Sequence, residues 1–255
     1  MGRPRYVAMG SSFAAGPGIV PIGNARAGRS DRNYPRQVAQ RLGFDLVDMT
    51  WSGATAADLL STQVPAITAD TELVTITAGG NDIGYIGSLV AGSLAGIAAR
   101  GLQPLPRSIP DRIRARVDLA RTAADVERAR AALAAVVTAA RERAPSARVV
   151  LVDYVTVIGP RDLPWSLRWP FDPDRAAVIR ATAAGLAAAF AGAAASTGAE
   201  LVRALAASHE HGVGSAEPWI SGFQLGLPAR RGPVPFHPTL AGMTGVAELV
   251  VAHLR

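Results

Sequence analysis

Four short stretches of this chain carry residue types that could take part in a reaction: a nucleophile, a base and donors to an anion. The first, "MGSSFAAG", sets Gly10, Ser11 and Ser12 at the end of an apolar run. A serine hydroxyl becomes a nucleophile once a base takes its proton, and a glycine ahead of it lets the chain turn sharply enough to expose it. The second, "WSGAT", offers Gly53, whose bare backbone N–H can meet an anion. The third, "TITAGGNDIG", ends an apolar run in two glycines followed by Asn81, a side-chain amide donor, and Asp82. The fourth, "PVPFHPTLAGM", locks His237 between prolines just ahead of a helical pattern, which suits a base that must hold one orientation. Taken singly, each stretch has a plainer reading, because Gly-Ser and Asn-Asp pairs commonly make turns and caps.

The remaining candidates are weaker. His209 and His211 have H-x-H spacing but no third ligand, and His253 lies in the last few residues. There are no cysteines, so disulfides and thiolate metal sites are excluded, and neither a metal nor a cofactor is expected. "GSSFAAGPG" does not fit the G-x-G-x-x-G pattern of a dinucleotide loop.

Positioning these residues falls to an alternation of strands and helices. Runs rich in β-branched and apolar residues at Tyr6–Met9, Leu46–Met49, Leu73–Thr77, Val149–Val152 and Glu200–Val202 read as strands. Thr122 and Asp125 make an [ST]xx[DE] helix start, after which Val126, Leu133 and Val137 share a face until Pro145. Asp172-Pro173 opens a second helix, with Ile179, Leu186 and Phe190 on one face, running to about Ala195. A last helix starts near Thr239 and buries Met243, Val246 and Val250. This alternation implies a parallel sheet covered on both faces, with ligands beyond the carboxyl ends of its strands, where the first three stretches fall, while the fourth precedes the last helix. At 255 residues and 49% hydrophobic, the chain is expected to form one domain, 1–255. Gly- and Pro-rich loops at Gly16–Arg32, Gly101–Pro110, Pro160–Pro173 and Ser208–Pro235 are candidates for a pocket or a lid, with Trp165 and Trp169 as core anchors or a rim.

Composition narrows the partners. The net charge of +6 is spread along helical stretches and aromatics make up 5%, which argues against nucleic-acid binding. The N-terminus "MGRPRYVAMG" enters a strand without an apolar leader, so the expected location is cytoplasmic. Ile83 to Ala99 is uncharged but falls short of the usual ~20-residue span, so it reads as a buried or pocket-lining helix and no stable membrane insertion is expected.

In this order along the chain, the four stretches resemble the SGNH hydrolases, the GDSL-like esterases and lipases, and the likeness covers nearly the whole sequence. The family's four shared residues fall on Ser12, Gly53, Asn81 and His237. The resemblance implies a three-layer α/β/α sandwich around a flavodoxin-like, five-stranded parallel sheet. It also implies a metal-independent serine esterase or lipase acting on a small-molecule acyl ester of a lipid, a small alcohol or an acylated sugar. Ser12 would attack the carbonyl, His237 would carry the proton, and the oxyanion would be met by the backbone N–H groups of Ser12 and Gly53 and the amide of Asn81.

Two positions depart from the family pattern. Ser11 stands where an aspartate usually precedes the serine, which implies a local change in hydrogen bonding. Val234 stands three residues before the histidine, where the triad acid usually lies. The backbone carbonyl of Val234 is therefore the expected acceptor for the histidine N–H, giving a Ser–His dyad. Glu217 or Asp82 are the alternative acids, and a degenerate domain that binds an acyl ligand or a partner is the alternative function. An acetylated carbohydrate is the alternative substrate.

Overall fold

The computed structural model describes residues 2–225 and 232–255. Five strands form the central sheet: β1 (Arg5–Gly10), β4 (Asp45–Asp48), β5 (Thr71–Thr77), β6 (Arg148–Val152) and β7 (Glu200–Val202). All pair in parallel, in the order β4-β1-β5-β6-β7. Counted along the sheet's own strands this is 2-1-3-4-5, the flavodoxin-like order, whose direction reverses between β1 and β5. Tyr6, Val7, Ala8 and Met9 of β1 are fully buried, as expected of a parallel strand with helices on both faces. A small antiparallel ribbon, β2 (Ile22–Asn24) and β3 (Arg29–Ser30), lies within the predicted loop Gly16–Arg32.

The helices fill two layers. On one face, α2 (Tyr34–Leu42) packs against the C-terminal α9 (Leu240–Leu254). The opposite face holds α6 (Ala123–Arg143) and α7 (Pro173–Thr197), the crossovers into β6 and β7, as right-handed connections require. The α6 start is the predicted capping box, with the Thr122 side chain accepting from Asp125 N–H and the Asp125 carboxylate accepting from Thr122 N–H. Asp172 caps α7 with Pro173 at its first turn. The 25 residues of α7 are long and apolar enough to cross a membrane, but Ile179, Leu186 and Phe190 are buried, so it reads as a core helix.

Three one-turn helices sit at strand ends: α1 (Ser12–Ala15), α3 (Ala56–Asp58) and α8 (Ala204–Ala207). Between β5 and α6 the chain makes a helical hairpin, α4 (Tyr85–Gly101) and α5 (Ser108–Ala115). Arg121 closes its base by donating to the carbonyls of Ile83 and of Gly84, the latter at 3.0 Å. The inner face of α4 packs closely on the segment 165–171. A Cβ on Gly96 would lie 2.1 Å from the Pro170 carbonyl oxygen, so only glycine permits this approach. The segment Ile83–Ala99 is therefore neither a simple core helix on the sheet nor wholly buried: Tyr85 and Leu89 are covered and Leu94 is exposed.

Candidate active site

The carboxyl edge of the sheet gathers the four stretches at the switch point between β1 and β5. Gly10, the last residue of β1, has φ +152°, and a Cβ there would sit 2.5 Å from the Thr77 carbonyl oxygen. Its N–H donates to Gln63 Oε1 (2.8 Å), and its carbonyl accepts from Gln63 Nε2 (3.2 Å) and Trp51 N–H (2.9 Å). With Ser11 N–H on the Thr77 carbonyl (2.8 Å), the turn that carries Ser12 is tied on three sides. Ser12 then opens α1 at its first helical position, where the backbone N–H has no intrahelical partner.

His237 reaches that serine from the other end of the chain. Its Nε2 lies 2.8 Å from Ser12 Oγ, and its Nδ1 lies 2.8 Å from the Pro235 carbonyl oxygen. A carbonyl only accepts, so Nδ1 carries the proton and Nε2 presents its lone pair to the serine hydroxyl. The expected acceptor, the carbonyl of Val234, is corrected to that of Pro235. Val234 O is instead taken by Ser221 Oγ and by His237 N–H (3.2 Å). The cause is the backbone at Phe236, whose φ of +56° is the one positive value on a non-glycine among the described residues. That left-handed step turns the chain so that the nearer carbonyl comes under the imidazole. Such a conformation costs a bulky residue roughly 1–3 kcal/mol. It is held by packing: Phe236 is fully buried, with ring centroids 6.4 Å from Trp169 and 6.3 Å from both Phe171 and Phe223.

Neither alternative acid reaches the histidine as a partner. The Asp82 carboxylate accepts from Ala56 N–H at 3.1 and 3.2 Å, capping α3, while Glu217 is exposed and its carbonyl accepts from His211 Nδ1. Burial lowers the His237 pKa from its ordinary value, and the Pro235 hydrogen bond opposes that only in part. A buried imidazole with no carboxylate behind it stays neutral, the form a base needs.

The second and third junctions are bound to each other. Asn81 Nδ2 donates to the Ala54 carbonyl (2.9 Å), alongside the Asp82 contact to Ala56. Gly53 has φ +91°, and a Cβ there would meet nothing within 4 Å. Its glycine identity therefore answers to backbone conformation, with open space in front. Among the described residues, the N–H groups of Ser12 and Gly53 have no protein acceptor.

Sequence reasoning missed three residues. Gln63 holds Gly10 from a π-helical turn, Leu59–Gln63, fifty-three positions away. Ser221 interlocks with the His237 turn, its N–H donating to the His237 carbonyl at 2.9 Å. Tyr154, on the loop after β6, places its hydroxyl 3.2 Å from Ser11 Oγ and accepts from Gly80 N–H at 3.1 Å, so it spans the serine and asparagine turns. Its ring centroid is 4.2 Å from that of Phe13, which in turn lies 5.6 Å from the His237 ring. Nothing local in the sequence signals these partners. Trp169 is a core anchor, whereas Trp165 is partly exposed beneath Arg100. Of the predicted loop Ser208–Pro235, residues 226–231 lie outside the described residues. Among the described residues no three His, Cys, Asp or Glu side chains gather as a metal site.

A flavodoxin-like sheet with a serine and a histidine facing each other at its switch point defines a class, the α/β/α ester hydrolases. The family model of the GDSL-like Lipase/Acylhydrolase family matches residues 8–244, and the chain belongs to that family. It is 32% identical to Lipase 2 of Streptomyces coelicolor over 95% of this chain and 83% of that one. Among solved structures it is similar to an extracellular lipase of Streptomyces rimosus, with 26% identity, a TM-score of 0.71 and 98% of each chain covered. It shares its fold with phospholipase A1 of Streptomyces albidoflavus, with a TM-score of 0.76, 23% identity and 99% of each chain covered. The chain is a carboxylic ester hydrolase of the GDSL type.

Proposed function

We propose that this enzyme hydrolyses lipid-like acyl esters through a Ser–His dyad whose histidine is oriented by a main-chain carbonyl. The observation that carries the reading is the single line of contacts from Pro235 O through the His237 ring to Ser12 Oγ, 2.8 Å at each step. Nε2 takes the Ser12 proton as Oγ attacks the ester carbonyl carbon; the imidazolium then gives that proton to the departing alkoxide oxygen. Water repeats the sequence on the acyl-enzyme, releasing the acid and restoring Ser12. The tetrahedral oxyanion is met by the backbone N–H groups of Ser12 and Gly53 and by the second N–H of the Asn81 amide. One such donor is typically worth about 3–4 kcal/mol of barrier. Pro235's neutral carbonyl fixes the tautomer but stabilises imidazolium less than a carboxylate would.

An apolar substrate portion is supported by a cleft of about 480 Å³ beside the His237 turn, lined in part by Ile19, Val20, Pro238 and Leu240. That is large enough for a short acyl chain or an apolar alcohol. The relative's name, lipase, agrees with this choice. The test is hydrolysis of chromogenic acyl esters of graded chain length by wild type, Ser12→Ala and His237→Ala, with folding checked by circular dichroism. Loss of about 10³-fold or more in both variants is expected. Retention of wild-type turnover by folded Ser12→Ala overturns the dyad.

A further inference from the structure

We infer that the α4–α5 hairpin is a docking face for an anionic lipid surface, holding the enzyme at the interface where lipid-like substrate resides. This rests on the ester-hydrolase reading above and adds to it a surface outside the reaction centre.

The outward face of α4 is apolar and bare. Gly87, Ala91, Leu94 and Ala98 follow one another at helical spacing and all are exposed, Leu94 at 52%. The tip and the next helix continue the pattern with Leu105 at 45% and Ile109 at 38% exposure. A helix that faced only water would carry charges here; α4 has a single charged residue, Arg100, and that guanidinium lies over the ring of Trp165.

The exposed strip of α4 carries no charge; the free charges of the hairpin lie on its tip and on α5. From Tyr85 to Arg116 the hairpin carries five arginines against one aspartate, Asp111, so the arginines that the sequence spreads along its helical stretches leave a local positive excess here. Arg114 pairs with Asp111 at 3.1 Å. Arg107, Arg112 and Arg116 are exposed and make no ion pair among the described residues. Arg112 and Arg116 follow Ile109 at i+3 and i+7, placing basic groups beside an exposed apolar one on the same side of α5. An exposed apolar strip on α4, joined through the tip to a helix that sets unpaired arginines beside exposed Ile109, is complementary to an acyl layer under anionic headgroups. A nucleic acid would use the arginines and leave the apolar strip unmatched.

The hairpin is also in the right place. It leaves the carboxyl edge four residues after Asn81, and Arg121 ties its return to the carbonyls of Ile83 and Gly84, so its base adjoins the reaction centre.

The experiment is vesicle co-sedimentation of the Ser12→Ala protein, in which binding is read without turnover. Vesicles are phosphatidylcholine alone or with about one third phosphatidylglycerol. Binding to the anionic vesicles is expected, weakened about tenfold or more without phosphatidylglycerol or in ~0.5 M salt. Leu94→Asp/Ile109→Asp and, separately, Arg107→Ser/Arg112→Ser/Arg116→Ser should each reduce it by about tenfold. The same surface changes in the Ser12 protein should leave hydrolysis of a soluble short-chain ester and thermal unfolding unchanged. Failure of the parent protein to sediment, or sedimentation of both surface variants like the parent, overturns the proposal. So does a dimer in sedimentation velocity that Leu94→Asp dissociates, which would assign the face to a second copy. Inactivity of wild type on the soluble ester would strike the ester-hydrolase reading instead, leaving the vesicle result to stand by itself.

Discussion

At the residue scale, the proposed dyad makes the pH profile informative. Burial lowers the His237 pKa, so the neutral base persists to lower pH than a free imidazole allows. The acidic limb of kcat/KM should therefore reach half-height below pH 6.5, the ordinary histidine value, and activity should rise with pH through that point. A midpoint at or above the ordinary value would mean that a carboxylate does support the imidazole. Tyr154 offers a second residue-scale prediction, because its hydroxyl accepts from Gly80 N–H and contacts Ser11 Oγ. Tyr154→Phe strands those two groups in a dry place, with an expected stability loss of about 1–3 kcal/mol. It should also lower kcat more than it raises KM, since it loosens the two turns that carry Ser12 and Asn81 without touching the substrate. An unchanged kcat would show that the turns hold without it.

At the element scale, two glycines of one helix should behave oppositely. A Cβ on Gly96 collides with the Pro170 carbonyl at 2.1 Å, whereas a Cβ on Gly87 meets nothing. Gly96→Ala should destabilise by about 1–3 kcal/mol despite its better helix propensity and shift the emission of Trp165 and Trp169 as the 165–171 segment moves. Gly87→Ala should stabilise by up to about 1 kcal/mol in a denaturant titration. Equal effects at the two sites would mean that α4 does not pack on that segment. This contrast also explains what the sequence could disclose. The five strands announce themselves by short runs of β-branched and apolar residues, and α6, α7 and α9 by Thr, Asp and Thr caps, all local signals. The hairpin's contacts, by contrast, are with a segment about seventy residues away, and helical periodicity cannot say which surface a glycine-rich face will meet. The site divides in the same way. Ser12, Gly53, Asn81 and His237 sit in recognisable turns. The carbonyl behind His237, though, was decided by the left-handed step at Phe236, which packing against three surrounding aromatic rings holds and no local motif encodes.

At the scale of the whole molecule, one buried carboxyl sets a term in stability that the chemistry does not use. Asp153 follows β6, is 5% exposed, and accepts from Leu205 N–H at 2.8 Å. Desolvation pushes its pKa up to about 6, against weaker lowering by backbone donors at Leu205 and Ala204 and by Arg203. The folded state thus holds this proton more tightly than the unfolded chain, whose carboxyl titrates near 3.8. Between those values stability must fall as pH rises, and above about 6 the full cost of an ionised buried group is present. Asparagine keeps an acceptor for Leu205 N–H and has no charge to bury. Asp153→Asn should accordingly be more stable than wild type at pH 8 by about 1–3 kcal/mol, and the gap should close as pH falls toward 4. Urea unfolding of both proteins at several pH values measures it. A gap independent of pH, or a variant less stable at pH 8, would mean that Asp153 is ionised at no cost, with the α8 backbone donors outweighing its burial.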